Sequence, residues 1–161
     1  ETVDIRTIVE EIAPFIEIEA RARRISVRYR LLREPALVDC DWVLIEQVIS
    51  NIARNGIEAM VDTPAEHRQL TISTHLTAAG TLNVSIEDRG HGLPQANPDR
   101  LFDAFFTTKK EGLGIGLSLC RSIVDSHGGH LWATRGSNGG AKFHFSLPLA
   151  TGETGHAEPI R

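Results

Sequence analysis

Two asparagines and a glutamate fall on one side of a predicted helix. Asn51, Asn55 and Glu58 stand at positions i, i+4 and i+7, which share one line of a helix at about 100° per residue. This line borders the apolar face of the same helix, so the two amides lie at the margin of the core and need polar partners. Amide oxygens are suitable ligands for Mg²⁺, a cation that keeps several waters and also takes substrate phosphates. A polar helix edge without a ligand is the alternative interpretation of any one of these residues.

A carboxylate ends one of the predicted strands and is followed by two glycines. Strand alternation places Asp88 on the same side as Val84 and Ile86, which is the side expected to face the core. A carboxylate in that position needs a donor, and an exocyclic amine such as that of adenine would fit. Gly90 and Gly92 would let the backbone approach a flat base closely. An ordinary Asp-x-Gly turn is the alternative.

A glycine-rich loop before a predicted helix provides a third group of candidate residues. Glycines at a helix start expose N–H groups that bind phosphate, and preceding hydroxyls and lysines could add neutralising contacts. The residues concerned are Thr107, Thr108, Lys109, Lys110, Gly112, Gly114, Gly116 and Leu117. Their order is neither the dinucleotide-binding G-x-G-x-x-G pattern nor a Walker A loop. A flexible loop with solvated lysines is the alternative.

Length and composition limit the class of protein. A chain of 161 residues and 17.7 kDa favours one domain, and 41% hydrophobic with 24% charged residues is ordinary globular composition. The net charge of −4 gives no basic field for nucleic acid, so no nucleic-acid partner is expected. No apolar run approaches the roughly 20 residues of a membrane span, so no direct membrane contact is expected. Cys40 and Cys120 lie far apart and are predicted to be reduced thiols.

Hydrophobic periodicity predicts the elements that must position these residues. Helices are expected over residues 4–24, where Pro14 suggests a kink or a late start, over residues 42–61 after an N-cap at Asp41, and from the glycine loop to about His127. Alternating stretches predict strands over residues 25–32, 69–76, 81–88, 130–136 and 141–147, with a short strand at Leu37-Val38. The last four long strands form two hairpins. This order predicts a two-layer α/β sandwich, with a mixed, mostly antiparallel sheet and helices on one face.

Taken in this order, the motifs resemble a known family. The asparagine helix, the Asp88-x-Gly-x-Gly turn, the Phe-rich segment 101–106 and the glycine run 112–117 resemble the N, G1, F and G2 boxes of sensor histidine kinases. The stretches 102–109 and 55–60 are similar to the nitrogen-regulatory and oxygen-sensing type. The resemblance implies the Bergerat ATP-binding fold, shared with DNA gyrase, heat-shock chaperone and mismatch-repair ATPases.

The resemblance also implies roles for individual residues. The second asparagine of the N box, here Asn55, would ligate Mg²⁺, and Asn51 would lie near the phosphates of ATP, which makes these two the catalytic candidates. Asp88 would bond the adenine amine. The implied ATP-binding residues are Asn51, Asn55, Glu58, Asp88, Gly90, Gly92, Thr107, Thr108, Lys109, Gly112, Gly114, Gly116 and Leu117. The last three glycines would form the hinge of an ATP lid.

Two positions of the asparagine helix refine this interpretation. Hydrolysing relatives carry a water-activating glutamate where this chain has Asn51, and an amide is a poor base, so the residue favours phosphoryl transfer over hydrolysis. Gly56 stands where the family usually has alanine, at a helix cost of about 1 kcal/mol.

The resemblance predicts an organisation that extends beyond this chain. Residues 1–3 are expected to end a linker from a dimerisation and histidine-phosphotransfer domain, residues 4–149 to bind ATP, and residues 150–161 to form a mobile tail. None of the 7 histidines precedes Asp or Glu, so the phosphoacceptor histidine is expected on that separate domain, with a response regulator downstream. We expect this fragment to be monomeric and cytoplasmic. The parent kinase could be either membrane-anchored or not. The alternatives are a Bergerat-fold ATPase that drives conformational change, and a non-catalytic nucleotide-binding or interaction module.

Overall fold

A five-stranded sheet and a layer of helices make up the described part of the chain. The computed structural model describes residues 1–94, 98–103 and 116–151. In chain order the elements are β1 Thr2–Asp4, α1 Ile5–Ala22, β2 Ser26–Arg30, β3 Leu37–Asp39, α2 Trp42–Ala59, β4 Gln69–Leu76, β5 Thr81–Glu87, α3 Gly116–Ser126, β6 His130–Arg135 and β7 Ala141–Pro148. Short 3₁₀ turns lie at Ala65–His67 and Pro98–Phe102. The predicted long elements are confirmed, with small differences at their ends.

The main sheet has the strand order β2-β4-β5-β7-β6. Strand β2 pairs with β4 in parallel, and the other neighbours are antiparallel. Both predicted hairpins are present, β4 with β5 and β6 with β7. The half-exposed strand predicted after the first helix is the edge strand β2. The mixed, mostly antiparallel sheet predicted from the sequence is therefore confirmed.

A second, two-stranded sheet joins β1 to β3. Thr2 pairs with Asp39 and Asp4 with Leu37, in antiparallel register. The sequence predicted the short strand at residues 37–38 but not β1, because β1 is recognisable only from its pairing with β3, 35 positions further along the chain. The backbone N–H of Ala150 donates to the carbonyl of Leu37 at 2.8 Å, so the chain after β7 returns to this same strand.

Helix α1 begins at Ile5, so the late start suggested by the proline is wrong. The side chain of Asp4 accepts a hydrogen bond from the backbone of Arg6 and caps the helix. Pro14 lies inside the helix on its exposed face, where water can satisfy the carbonyl that its missing N–H leaves free. The buried stripe of this helix is Ile5, Ile8, Val9, Ile16 and Ala20.

The core lies between the helices and one face of the main sheet. Strands β4, β5 and β7 each turn alternate apolar residues inward, and the fully buried ones include Leu70, Ile72, Leu82, Ile86 and Phe145. The predicted two-layer arrangement is thus confirmed. Cys40 and Cys120 are both buried and free. In the described ranges no helix combines the length and apolarity that crossing a membrane requires.

Candidate functional site

Helix α2 carries the three polar residues that the sequence singled out. It begins after Asp41, whose carboxylate accepts from the backbone N–H of Leu44 at 3.3 Å and confirms the predicted N-cap. Its apolar face is buried at Ile45, Val48, Ile49, Ile52, Ala53 and Ile57. Asn51, Asn55 and Glu58 are half-buried, so they lie at the margin of that face as the spacing predicted.

Asp88 lies directly after β5 on the core side and is only 3% exposed. Its Oδ1 accepts two backbone hydrogen bonds, from Gly90 at 2.8 Å and from Ala141 at 3.3 Å. Burial raises the pKa of Asp88, while these two N–H groups partly lower it again. Both hydrogen bonds that other described residues make to this carboxylate end on Oδ1, which leaves Oδ2 for another donor.

Glycines from two separate segments lie close to this carboxylate. A Cβ on Gly140 would lie 2.1 Å from the carbonyl oxygen of Asp88 and 2.8 Å from its Oδ1. A Cβ on Gly56 would lie 2.8 Å from Cδ1 of Leu70 and 3.5 Å from Oδ2 of Asp88. A side chain at Gly140 would therefore overlap the backbone of Asp88, and one at Gly56 would displace Leu70 and crowd Cβ of Asp88 at 3.3 Å. Neither glycine was among the site residues predicted from the sequence.

The two predicted glycines after Asp88 are constrained by protein contacts. A Cβ on Gly90 would lie 2.3 Å from the carbonyl oxygen of Ala59, so this glycine permits contact with the end of α2. Gly92 has a φ of 81°, in the left-handed region that favours glycine. The N–H of His91 donates to the same Ala59 carbonyl at 3.2 Å. The loop therefore holds Asp88 against the asparagine helix.

The beginning of α3 packs against α2. Gly116 is the exposed first residue of α3, and Leu117 packs against the core. Sγ of Cys120 lies 3.9 Å from the carbonyl oxygen of Val48. Burial raises the pKa of this thiol to about 11, and a hydrogen bond with the side chain of Asn51 opposes the rise. Thr107, Thr108, Lys109, Lys110, Gly112 and Gly114 lie outside the described residues.

Comparison with known proteins decides the family. Residues 40–151 match the model of histidine kinase-, DNA gyrase B- and HSP90-like ATPases. The chain belongs to this family. Membership implies that it binds ATP, and the resemblance drawn from the four boxes is confirmed.

Within the family the relatives are sensor kinases. The sensor protein TdiS of Thauera aromatica is 35% identical over 147 residues, which cover 91% of this chain and 27% of that protein. The sensor protein FixL of Bradyrhizobium diazoefficiens is 38% identical over 143 residues, which cover 89% of this chain and 28% of that protein. The chain thus spans about a quarter of the length of the curated relatives it matches.

Solved structures agree with the sequence relatives. The catalytic domain of the histidine kinase ThkA superposes with a TM-score of 0.81 at 29% identity, covering 92% of this chain and 95% of that domain. ThkA has also been solved in complex with the response regulator protein TrrA, with a TM-score of 0.77, 27% identity and coverage of 93% and 42%. The chain is therefore a histidine-kinase-type catalytic ATP-binding domain.

One further contact of this ATP-binding domain was not predicted. Phe102, the last residue of the second 3₁₀ turn, is buried and meets Phe143 edge to face at a centroid distance of 6.1 Å. The guanidinium of Arg121, on α3, lies 4.5 Å from the centre of the Phe102 ring. These contacts join Phe102, near the start of the F box, to the sheet and to α3. No local sequence pattern pairs an arginine with a phenylalanine 19 positions away.

Proposed function

We propose that this domain binds ATP with Mg²⁺ and presents the γ-phosphoryl group to a histidine on a separate domain of the same kinase. An aspartate of a response regulator would then receive the group. The buried Asp88, with Oδ1 held by two backbone N–H groups, is the observation that carries this proposal.

Asp88 would select the base. Adenine carries an amine at its sixth position, which can donate to the Oδ2 atom of the carboxylate. Guanine carries a carbonyl oxygen at the same position and would repel a buried carboxylate. Gly140 and Gly56 allow the backbone to approach Asp88 closely. The preference for adenine would therefore depend on this close packing as well as on the carboxylate.

Asn55 would hold the metal ion. The polar groups on this side of α2 are amide and carboxylate oxygens, which suit a hard cation that keeps waters and shares the phosphates of its nucleotide. The described residues hold no cluster of three His, Cys, Asp or Glu side chains, so the protein would provide only part of the coordination. When bound, Mg²⁺ supplies neutralising charge for the triphosphate.

The surroundings of Asn51 favour transfer over hydrolysis. Its side chain is hydrogen-bonded to the thiol of Cys120, whose pKa is about 11. Neither an amide nor a thiol with that pKa is a useful base toward water at neutral pH. We therefore assign Asn51 and Asn55 to positioning of the phosphates and metal, with Glu58 beside them on the same line of α2.

The glycine run would close over the phosphates. Gly116 and Leu117 fix its end at the start of α3, where Leu117 packs on the core. Thr107, Thr108, Lys109, Gly112 and Gly114 would form the remainder of this lid. The histidine domain and the response regulator are proposed as partners, supported by the solved complex of ThkA with TrrA.

Calorimetric titration of a non-hydrolysable ATP analogue, with and without Mg²⁺, tests the nucleotide site. Wild type should bind, and Asp88→Asn should weaken binding at least tenfold. Asp125→Asn, on the exposed side of α3, makes the same chemical change away from the site and should have less than a twofold effect. A folded wild-type protein that fails to bind the analogue would refute the proposal.

Addition of an isolated histidine domain and labelled ATP tests the transfer step. We expect labelled phosphohistidine on the added domain, and loss of the label with Asn55→Ala. Steady phosphate release without any acceptor would instead favour the conformational ATPase.

A further inference from the structure

A strip of arginines runs from the end of α1 along the edge strand β2. Residues 20–33 contain six arginines and no acidic residue, in a chain whose net charge is −4. The six are exposed: Arg21, Arg23, Arg24, Arg28, Arg30 and Arg33. In the part of the chain that the structure describes, ion pairs are made by other arginines, Arg6 with Glu10 and Arg54 with Glu19.

The geometry of β2 arranges this charge along an open strand edge. Strand β2 ends the sheet and pairs only with β4 among the described strands. Val27 and Tyr29 face the helices, and the Tyr29 hydroxyl donates to Glu17 at 2.9 Å. Arg28 and Arg30 therefore stand on the opposite, solvent-facing side, about 7 Å apart along the strand. An edge of this kind can pair with an added strand.

We propose that β2 is the docking edge for an extended acidic segment of another polypeptide. The segment would add as a sixth strand and place carboxylates, two residues apart, beside Arg28 and Arg30. An arginine guanidinium can form a bidentate pair of hydrogen bonds with a carboxylate, which a lysine cannot do. No residue of β2 is among those assigned to ATP binding, although Arg23, at the start of the strip, lines a pocket together with Glu58. The proposal does not depend on the proposed function.

The chemistry of the strip favours a peptide over other anions. The one aromatic residue in it, Tyr29, points inward, so no exposed ring is available to stack on bases. Ile25 is buried, and Val27 and Leu31 pack against the core, so these apolar side chains are not available to enter a bilayer. One charged residue is sufficient to protect an edge strand from unwanted pairing, whereas β2 carries both Arg28 and Arg30 and has four more arginines beside it in the sequence.

Fluorescence anisotropy with a labelled octapeptide of alternating Thr and Glu tests the proposal. Saturable binding is expected, about tenfold tighter than that of the same peptide with Gln in place of Glu. A Thr-Glu peptide with alternate backbone nitrogens methylated keeps the charge but cannot pair, and should also bind about tenfold more weakly. Backbone amide exchange in residues 26–30 should slow when the unmethylated peptide binds.

A matched pair of variants separates the strip from general charge. Arg28→Glu should weaken peptide binding at least fivefold. Arg135→Glu changes the same charge on the other edge strand, β6, and should change it less than twofold; circular dichroism checks that both fold. Equal binding of the methylated peptide, equal loss in both variants, or tighter binding of phosphatidylserine vesicles or oligothymidine would overturn the proposal.

Discussion

The charge of Asp88 opposes the stability of the fold that holds it. The carboxylate is 3% exposed, and burial raises its pKa even though two backbone N–H groups bind Oδ1. The folded protein therefore holds a proton on this group more readily than the unfolded chain does. Stability from this group is fully present below the unfolded pKa and is lost as the pH rises through the higher folded pKa.

Asp88→Asn should raise the free energy of unfolding at pH 7 by about 1 kcal/mol, because the amide carries no charge and its oxygen can still accept from Gly90 and Ala141. Urea denaturation at pH 7 and pH 4 measures the effect. The gain should shrink at the lower pH. A variant less stable than wild type at pH 7 would contradict this account.

Cys120 should be chemically silent in the folded protein. It is fully buried, and its pKa of about 11 leaves roughly one thiol in a thousand ionised at pH 8. Reaction with a maleimide should be at least 100-fold slower than that of free cysteine and should recover in urea. Cys40→Ser isolates the signal of Cys120. Rapid labelling of that variant under native conditions would contradict the burial of this thiol.

At the scale of the elements, single side chains join ends of helices that are distant in the sequence. The guanidinium of Arg68 donates to the carbonyls of Thr63 at 2.7 Å, Arg23 at 2.8 Å and Val61 at 3.2 Å, so it joins the chain after α1 to the chain after α2. The positive charge also suits the carboxyl ends of two helices. The ring of His127 accepts from the backbone N–H of Asp41 at 3.0 Å and thereby links the end of α3 to the start of α2.

Arg68→Ala should lower the free energy of unfolding by about 2 kcal/mol, because it leaves three carbonyls without a charged donor. Arg28→Ala removes an exposed arginine from the neighbouring strand and should change stability by less than about 0.5 kcal/mol. Thermal or urea denaturation of both variants provides the comparison. Equal effects would show that the three hydrogen bonds contribute little.

These links also show where sequence reasoning ends. Periodicity and turn residues were sufficient for the helices, the hairpins and the inward orientation of Asp88, because each of these depends on neighbours in the chain. The hydrogen bond between Arg68 and Arg23 spans 45 positions, and the one between Asp41 and His127 spans 86. No local sequence pattern predicts contacts over such separations. Gly140 lies in the turn between β6 and β7, and its contact with Asp88 depends on the pairing of β5 with β7.

At the scale of the whole molecule, both ends of the described chain form hydrogen bonds with the short strand β3 or the residue that follows it. The amino group of Glu1 donates to the carbonyl of Cys40 at 3.1 Å, and the N–H of Ala150 donates to the carbonyl of Leu37 at 2.8 Å. The two ends therefore contact the same short segment at positions three residues apart.

Because both ends of the described chain contact β3, the order of the segments could be permuted without changing the fold. A short Gly-Ser linker could join residue 150 to Glu1, and new ends could be opened between Ala78 and Ala79, in an exposed turn where Gly80 has open space around it. We expect this circular permutant to fold and to bind the ATP analogue within about threefold of wild type. Calorimetry and circular dichroism would check it. Failure to fold would mean that β4 and β5 must stay joined by their turn for this architecture to form.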